Sequence, residues 1–182
     1  MAFKAADISE DKRLASALLS TLRAHGASGL FSVLECTAKS HKPDGKAKLR
    51  AIHSSTRHPF KPGMLWVASL LRRKLKTLNH LVKDSFELAS FLKSKRFPAD
   101  IKFVKIDIRE FFMSGKHHEL AEHTRKTLNE VAPEFSDLAT AMTAFILETQ
   151  YVKNPETQDR VQVIQGSGMG LDFAGEVSDN SL

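Results

Sequence analysis

A chain of 182 residues that is 42% hydrophobic and 26% charged has enough apolar content for a substantial core, which excludes wholesale disorder. No apolar run reaches transmembrane length, the opening MAFKAADISEDKR lacks the apolar segment of a secretory signal, and the lone Cys36 excludes an internal disulfide. An intracellular protein with no membrane partner is the expectation, and Cys36 reads as a small apolar side chain in a strand.

The net charge of +6 is unevenly spread. Eleven basic residues lie between Lys39 and Lys76, among them Arg57, Lys61, Arg72 and Arg73, against the single acid Asp44. From Glu130 onward only Lys153 and Arg160 face nine acids. A basic half beside an acidic half points to a polyanion as partner, so Arg57, Lys61, Arg72 and Arg73 are candidate nucleic-acid contacts.

In chain order, DISEDKRLASALLSTLRAHG predicts a helix capped by Asp7 or Ser9, with Leu14, Leu18 and Leu22 on one face and Gly26 as its stop. LFSVLECTAK and KAKLRAIHSS read as strands joined by HKPDG, a turn signal that makes them a hairpin. After the loop RHPFKPG, MLWVASLLRRKLKTL predicts an amphipathic helix with Val67, Leu71, Leu75 and Leu78 as its stripe. Asp84 or Ser85 is placed to cap a short helix through Leu92.

IKFVKIDI, residues 101–108, is too continuously apolar for a half-exposed strand, so a central position in a sheet is expected. Its Asp107 is expensive to bury between Ile106 and Ile108 unless it is paired locally or held at a strand end to grip a metal. SGKHHELAEHTRKTLNEV follows as a helix that Ser114 is expected to cap, with His117, His118 and His123 on a solvated face. The spacing of these histidines misses the zincin pattern, because His123 falls one residue too far from His118. Ser136 is expected to cap SDLATAMTAFILETQ with Leu138, Met142 and Phe145 inward. YVKNPETQDRVQVIQ predicts a second hairpin, and QGSGMG a glycine-rich turn before a final helix. That turn is neither a Walker loop nor a dinucleotide fingerprint. The fold class is α+β.

Taken in order, AKSHKPDGKAKLRAIHSS, HPFKPGMLWVASLLRRKL, VKDSFEL, KIDIREFF and QGSGMG resemble successive segments of a reverse transcriptase, an RNA-directed DNA polymerase of the Penelope-like retroelement branch. The resemblance spans roughly residues 33–182. It implies a truncated right-hand polymerase fold: residues 1–100 as an N-terminal helix and fingers-like region, and 101–182 as a partial palm, in one incomplete domain. KIDIREFF resembles polymerase motif A, which makes Asp107 the catalytic, magnesium-binding carboxylate, helped by the carbonyl of Ile108. Phe112 then resembles the aromatic gate that selects deoxynucleotides. Lys39 or Lys42, with Arg50, resemble the fingers residues that grip the triphosphate. Gln165 and Gly166 resemble the motif B pair beside the incoming nucleotide.

The implied partners are an RNA template, a DNA primer and deoxynucleoside triphosphates, with Mg2+ as cofactor. No Asp-Asp dipeptide of the kind found in motif C occurs in the sequence, and DFAGEV replaces the usual Ser-Pro after the motif B glycines. The expectation is a fragment lacking the C-terminal palm and thumb, inactive alone. The alternative is a non-catalytic nucleic-acid-binding module or a degenerate retroelement remnant.

Overall fold

The computed structural model describes residues 13, 16, 20, 32–39, 48–56, 58–82 and 84–181, with residues 36, 38, 39 and 48–51 described at the level of the backbone. Of the first expected helix, Arg13, Ser16 and Ser20 are described; they are helical and exposed, as the polar side of the predicted leucine stripe requires. The leucines themselves lie outside the described residues.

The architecture is α+β. β1 (Ser32–Lys39) and β2 (Lys48–Ser54) form the expected antiparallel hairpin, in register from Val33 opposite Ser54 to Lys39 opposite Lys48. β3 (Tyr151–Lys153) and β4 (Arg160–Gln162) form the second, and Asn154 Oδ1 accepts the Glu156 N–H at 2.9 Å to shape its turn. β1 and β3 run parallel, with Ser32 beside Val152, so the sheet order is β2-β1-β3-β4.

Helices carry the core. α1 (Lys61–Leu75) carries Pro62 in its first turn, where the missing N–H costs nothing, and its last turn holds Arg72, Arg73 and Lys74 where the helix dipole favours cations. α1 buries Met64, Val67, Leu70 and Leu71 against α3 (His117–Val131), α4 (Ser136–Glu148) and α5 (Ala174–Asp179). Leu128, Ile146, Leu147, Phe173 and Val177 complete a cluster that joins elements from both sides of residue 100. α2 (Ser85–Ser94) begins at Asp84, whose carboxylate accepts the N–H groups of Phe86 and Glu87 at 2.9 Å. No helix among the described residues is long and apolar enough to cross a membrane.

Four expectations about the elements and their faces need correction here. Residues 101–108 are not a sheet strand: they form neither helix nor ladder, and every one is exposed, Ile106 to 84%. A strand buried on both faces needs neighbours and a covering layer, and the four strands of this sheet come from elsewhere. Ser114 does not cap α3; its hydroxyl donates to the Phe111 carbonyl at 2.8 Å, and Lys116 occupies the cap position. Ser136 lies inside α4, which has no side-chain cap. The buried face of α4 is Ala139, Thr140, Thr143, Ile146 and Leu147, whereas Leu138 and Phe145 are exposed and Met142 is half-buried.

Candidate functional site

The glycine-rich turn docks on two other segments. Gly166, Gly168 and Gly170 all have positive φ, at 80°, 74° and 108°. Backbone amides of this turn reach the segment that follows Asp107: Gly166 N donates to the Gly115 carbonyl at 2.8 Å, and Gly168 N to the Phe112 carbonyl at 3.1 Å. The Gln165 side-chain amide donates to the Met113 carbonyl at 3.2 Å. On its other side the turn meets the base of the first hairpin, where His53 N donates to the Met169 carbonyl at 2.7 Å and the Ser55 hydroxyl to the Gly170 carbonyl at 2.6 Å. A Cβ on Gly166 would lie 2.5 Å from the Phe112 carbonyl oxygen and from Met113 Cα, so the residue must be glycine for space as well as for φ.

This junction brings together Phe112, Gln165 and Gly166. Phe112 follows a reversal at Glu110, itself left-handed with φ 54°, and the 3-10 turn Phe111–Met113. Ile108 and Phe111 line a cleft of about 170 Å³ with Ser114, Gly115, Leu120, Ser178 and Ser181. Asp107 is exposed beside this cleft-lining Ile108 and makes no hydrogen bond or ion pair with another described residue. Arg50 and Lys39 are strand residues, with Arg50 opposite Thr37. Arg50 lies three residues along β2 from His53, roughly 10 Å from the glycine turn's contact with the hairpin. Lys42 and Arg57 fall outside the described residues.

The candidate basic surface is partly consumed within the fold. Lys61 pairs with Asp172 at 3.4 Å, Arg72 with Glu176 at 2.5 Å, and Lys74 with Glu130 at 2.5 Å. These pairs tie the basic half of the sequence to its acidic half. Arg73 is exposed and has no ion-pair partner among the described residues.

Sequence reasoning missed a buried polar layer beneath the turn. His53 Nδ1 and both amide atoms of Gln150 are buried without a protein partner among the described residues, next to the Cα of Gly168. Ser167 and Ser178 hydroxyls bond each other at 2.7 Å in the interior. His117 is also buried, which corrects its expected place on a solvated face; its Nε2 has no hydrogen-bond partner among the described residues. Burial lowers the pKa of His53, and of His58 against a smaller opposing pull from Asp172. It lowers that of His117 too, partly offset by the Gln165 and Gly166 backbone and by Glu148. A polar residue at a strand position, such as His53 in RAIHSS, gives little sequence signal of burial because a polar side chain reads as the solvent face of a strand.

A magnesium centre is not assembled from these side chains alone. Among the described residues no group of three or more His, Cys, Asp or Glu converges on one point. Asp107 belongs to no such group among the described residues, and the hard, oxygen-rich coordination magnesium requires would need further ligands.

Comparison with protein-family models, with curated proteins and with solved structures finds no match.

Proposed function

We propose that this chain is the fingers and first part of the palm of a reverse transcriptase of the Penelope-like type, a portion of an enzyme that copies RNA into DNA. The observation that carries the reading is the hydrogen-bonded junction between Phe112 and the Gln165–Gly168 turn. The two segments that resemble motifs A and B are 52 positions apart at Gln165 and Met113, yet they touch. In such an enzyme these motifs must meet at the incoming deoxynucleotide. Phe112 would bar the ribose 2′-hydroxyl, Gln165 and Gly166 would face the nucleotide, and Arg50 with Lys39 or Lys42 would hold the triphosphate as mobile or forked cations. Asp107 would supply one carboxylate of a two-metal centre in such an enzyme, whose other acids these residues do not provide.

The test is primer extension by the product of the complete reading frame, on an RNA template with a DNA primer and magnesium. Incorporation of deoxynucleotides that falls by about a hundredfold or more in Asp107→Asn supports the reading, since one metal-holding carboxylate contributes several kcal/mol to phosphoryl transfer. A frame that stops at Leu182, or incorporation indifferent to Asp107→Asn, overturns it.

A second reading, a non-catalytic nucleic-acid-binding module, is favoured by the exposed cations Arg73, Arg96, Lys102, Lys105 and Arg109, which lack ion-pair partners among the described residues. Its signature is affinity that falls steeply with salt and depends little on sequence.

A further inference from the structure

The segment after Phe97 presents an uncovered apolar edge. Ile101, Phe103, Val104, Ile106 and Ile108 are all exposed, and the backbone of residues 102–107 makes no hydrogen bond to another described residue. A row of free N–H and C=O groups on an apolar stretch is a template for strand pairing. We propose that two copies of this chain associate through this segment as antiparallel strands, centred on Ile106 of each. The inference concerns the 182-residue chain and does not rest on the polymerase reading.

Charge selects the partner and the register. Two-fold antiparallel pairing sets residues opposite one another whose numbers have a constant, even sum, because facing side chains must share a side of the ribbon. Centred on Ile106, the sequence VKIDI places Lys105 opposite the partner's Asp107 and Val104 opposite Ile108, ahead of the turn at Arg109 and Glu110. Asp107 then faces a lysine, and the pair occurs twice by symmetry. Centring on Lys105 instead would oppose two lysines, and centring on Asp107 would oppose two aspartates while facing Lys105 with Arg109. Centring on Val104 leaves Lys102 and Asp107 facing isoleucines. Like charges directly opposite are unfavourable and opposite charges favourable, and centring on Ile108, which faces Asp107 with Arg109, needs the left-handed Glu110 extended opposite Ile106, so the Ile106 register is the one its neighbours do not match.

A bare two-stranded ribbon is marginal in water, and α2 provides cover. α2 buries none of its residues within the fold: Phe86, Leu88 and Phe91 are exposed, and the Phe97 ring already packs edge-on to Phe103 at 5.5 Å between centroids.

Sedimentation equilibrium of the 182-residue protein up to about 100 µM tests this, with circular dichroism confirming that each variant folds. Wild type is expected to show a monomer–dimer equilibrium. Lys105→Asp and Asp107→Lys each turn two attractions into two repulsions and are expected to raise the dimer Kd by about tenfold or more. The double variant Lys105→Asp/Asp107→Lys restores both pairs and is expected to dimerise within about threefold of wild type. Monomer throughout, open-ended polymer without a dimer, or a double variant no better than the singles overturns the proposal. Because the readout is mass, its failure is separate from failure of primer extension.

Discussion

Gly168 donates its backbone N–H to the carbonyl oxygen of Phe112 at 3.1 Å, across 56 residues of sequence. With Gly166 N bonded to the Gly115 carbonyl, it locks the glycine turn against the reversal that follows Asp107. A left-handed backbone and close approach are required together here, which is why small size alone would not serve.

Gly166→Ala is therefore expected to destabilise the protein by about 2 kcal/mol or more, from the left-handed conformation and from a Cβ set 2.5 Å from the Phe112 carbonyl oxygen. The matching shift in Tm is a drop of roughly 4–8 °C for a chain of this size. Gly175→Ala is the control: nothing lies within 4 Å of its Cβ position and it sits in helix α5, so this change is expected to be neutral or to stabilise by up to about 1 kcal/mol. Thermal melts of the two variants side by side check the contrast, and equal losses would refute it.

Stability is expected to fall on mild acidification. His53, His58 and His117 are all held below their ordinary pKa of 6.5 by burial. The unfolded chain then takes up protons before the folded one does, so the stability contributed by the neutral imidazoles is complete above pH 6.5 and is lost as pH falls below it, down to the folded pKa. Asp179 acts in the opposite sense from its ordinary 3.8 upward, since burial and then Glu176 raise its pKa and so favour the folded state at lower pH. Urea midpoints measured at about pH 7.5 and pH 5.5 are expected to fall with pH, and His53→Gln is expected to flatten the dependence. A midpoint that rises on acidification would contradict the assignment.

Nucleic-acid affinity is expected to depend on Arg73 more than on Arg72. Both project from the last turn of α1, but Arg72 is held by Glu176 through Nε and Nη2 while Arg73 has no ion-pair partner among the described residues. Arg73→Ala is expected to reduce the salt slope of binding to an RNA–DNA duplex by about 1, and Arg72→Ala by less. Glu176→Gln releases Arg72 and is expected to tighten binding about twofold, while costing the fold about 1 kcal/mol or less, as partly exposed pairs do. Fluorescence anisotropy over a salt series reads both effects; identical slopes for the two arginine variants would count against a surface centred on the free cation.

Local structure is legible in this sequence and long-range contacts are not. The turn residues of HKPDG and NPETQD announced both hairpins, and the Asp84 cap follows from the hydrogen-bonding reach of a carboxylate. Nothing local reveals that β1 pairs in parallel with β3, or that the Phe112 carbonyl receives the Gly168 amide, because those contacts are set by how helices stack. Residues 101–108 depart from the expected buried strand for a related reason: apolar composition reports what a segment would gain by burial, and not whether anything is there to bury it.

The misread face of α4 yields the last prediction. Ranking side chains by hydrophobicity selects Leu138, Met142 and Phe145, but the helix turns Ala139, Thr140 and Thr143 toward its neighbours instead. Small residues allow close approach to α3, and the Thr143 hydroxyl satisfies itself on the Ala139 carbonyl at 2.8 Å, so its burial costs little. Ile146 and Leu147 then carry the apolar burial, being 1% and 0% exposed. Ile146→Ala is expected to cost about 2–5 kcal/mol. Leu138→Ala, at a position 45% exposed, is expected to cost less than about 1 kcal/mol. Urea unfolding of the two variants separates the faces: the larger loss must fall on Ile146, and a larger loss at Leu138 would mean that α4 is rotated and that the layer it forms with α3 is packed differently.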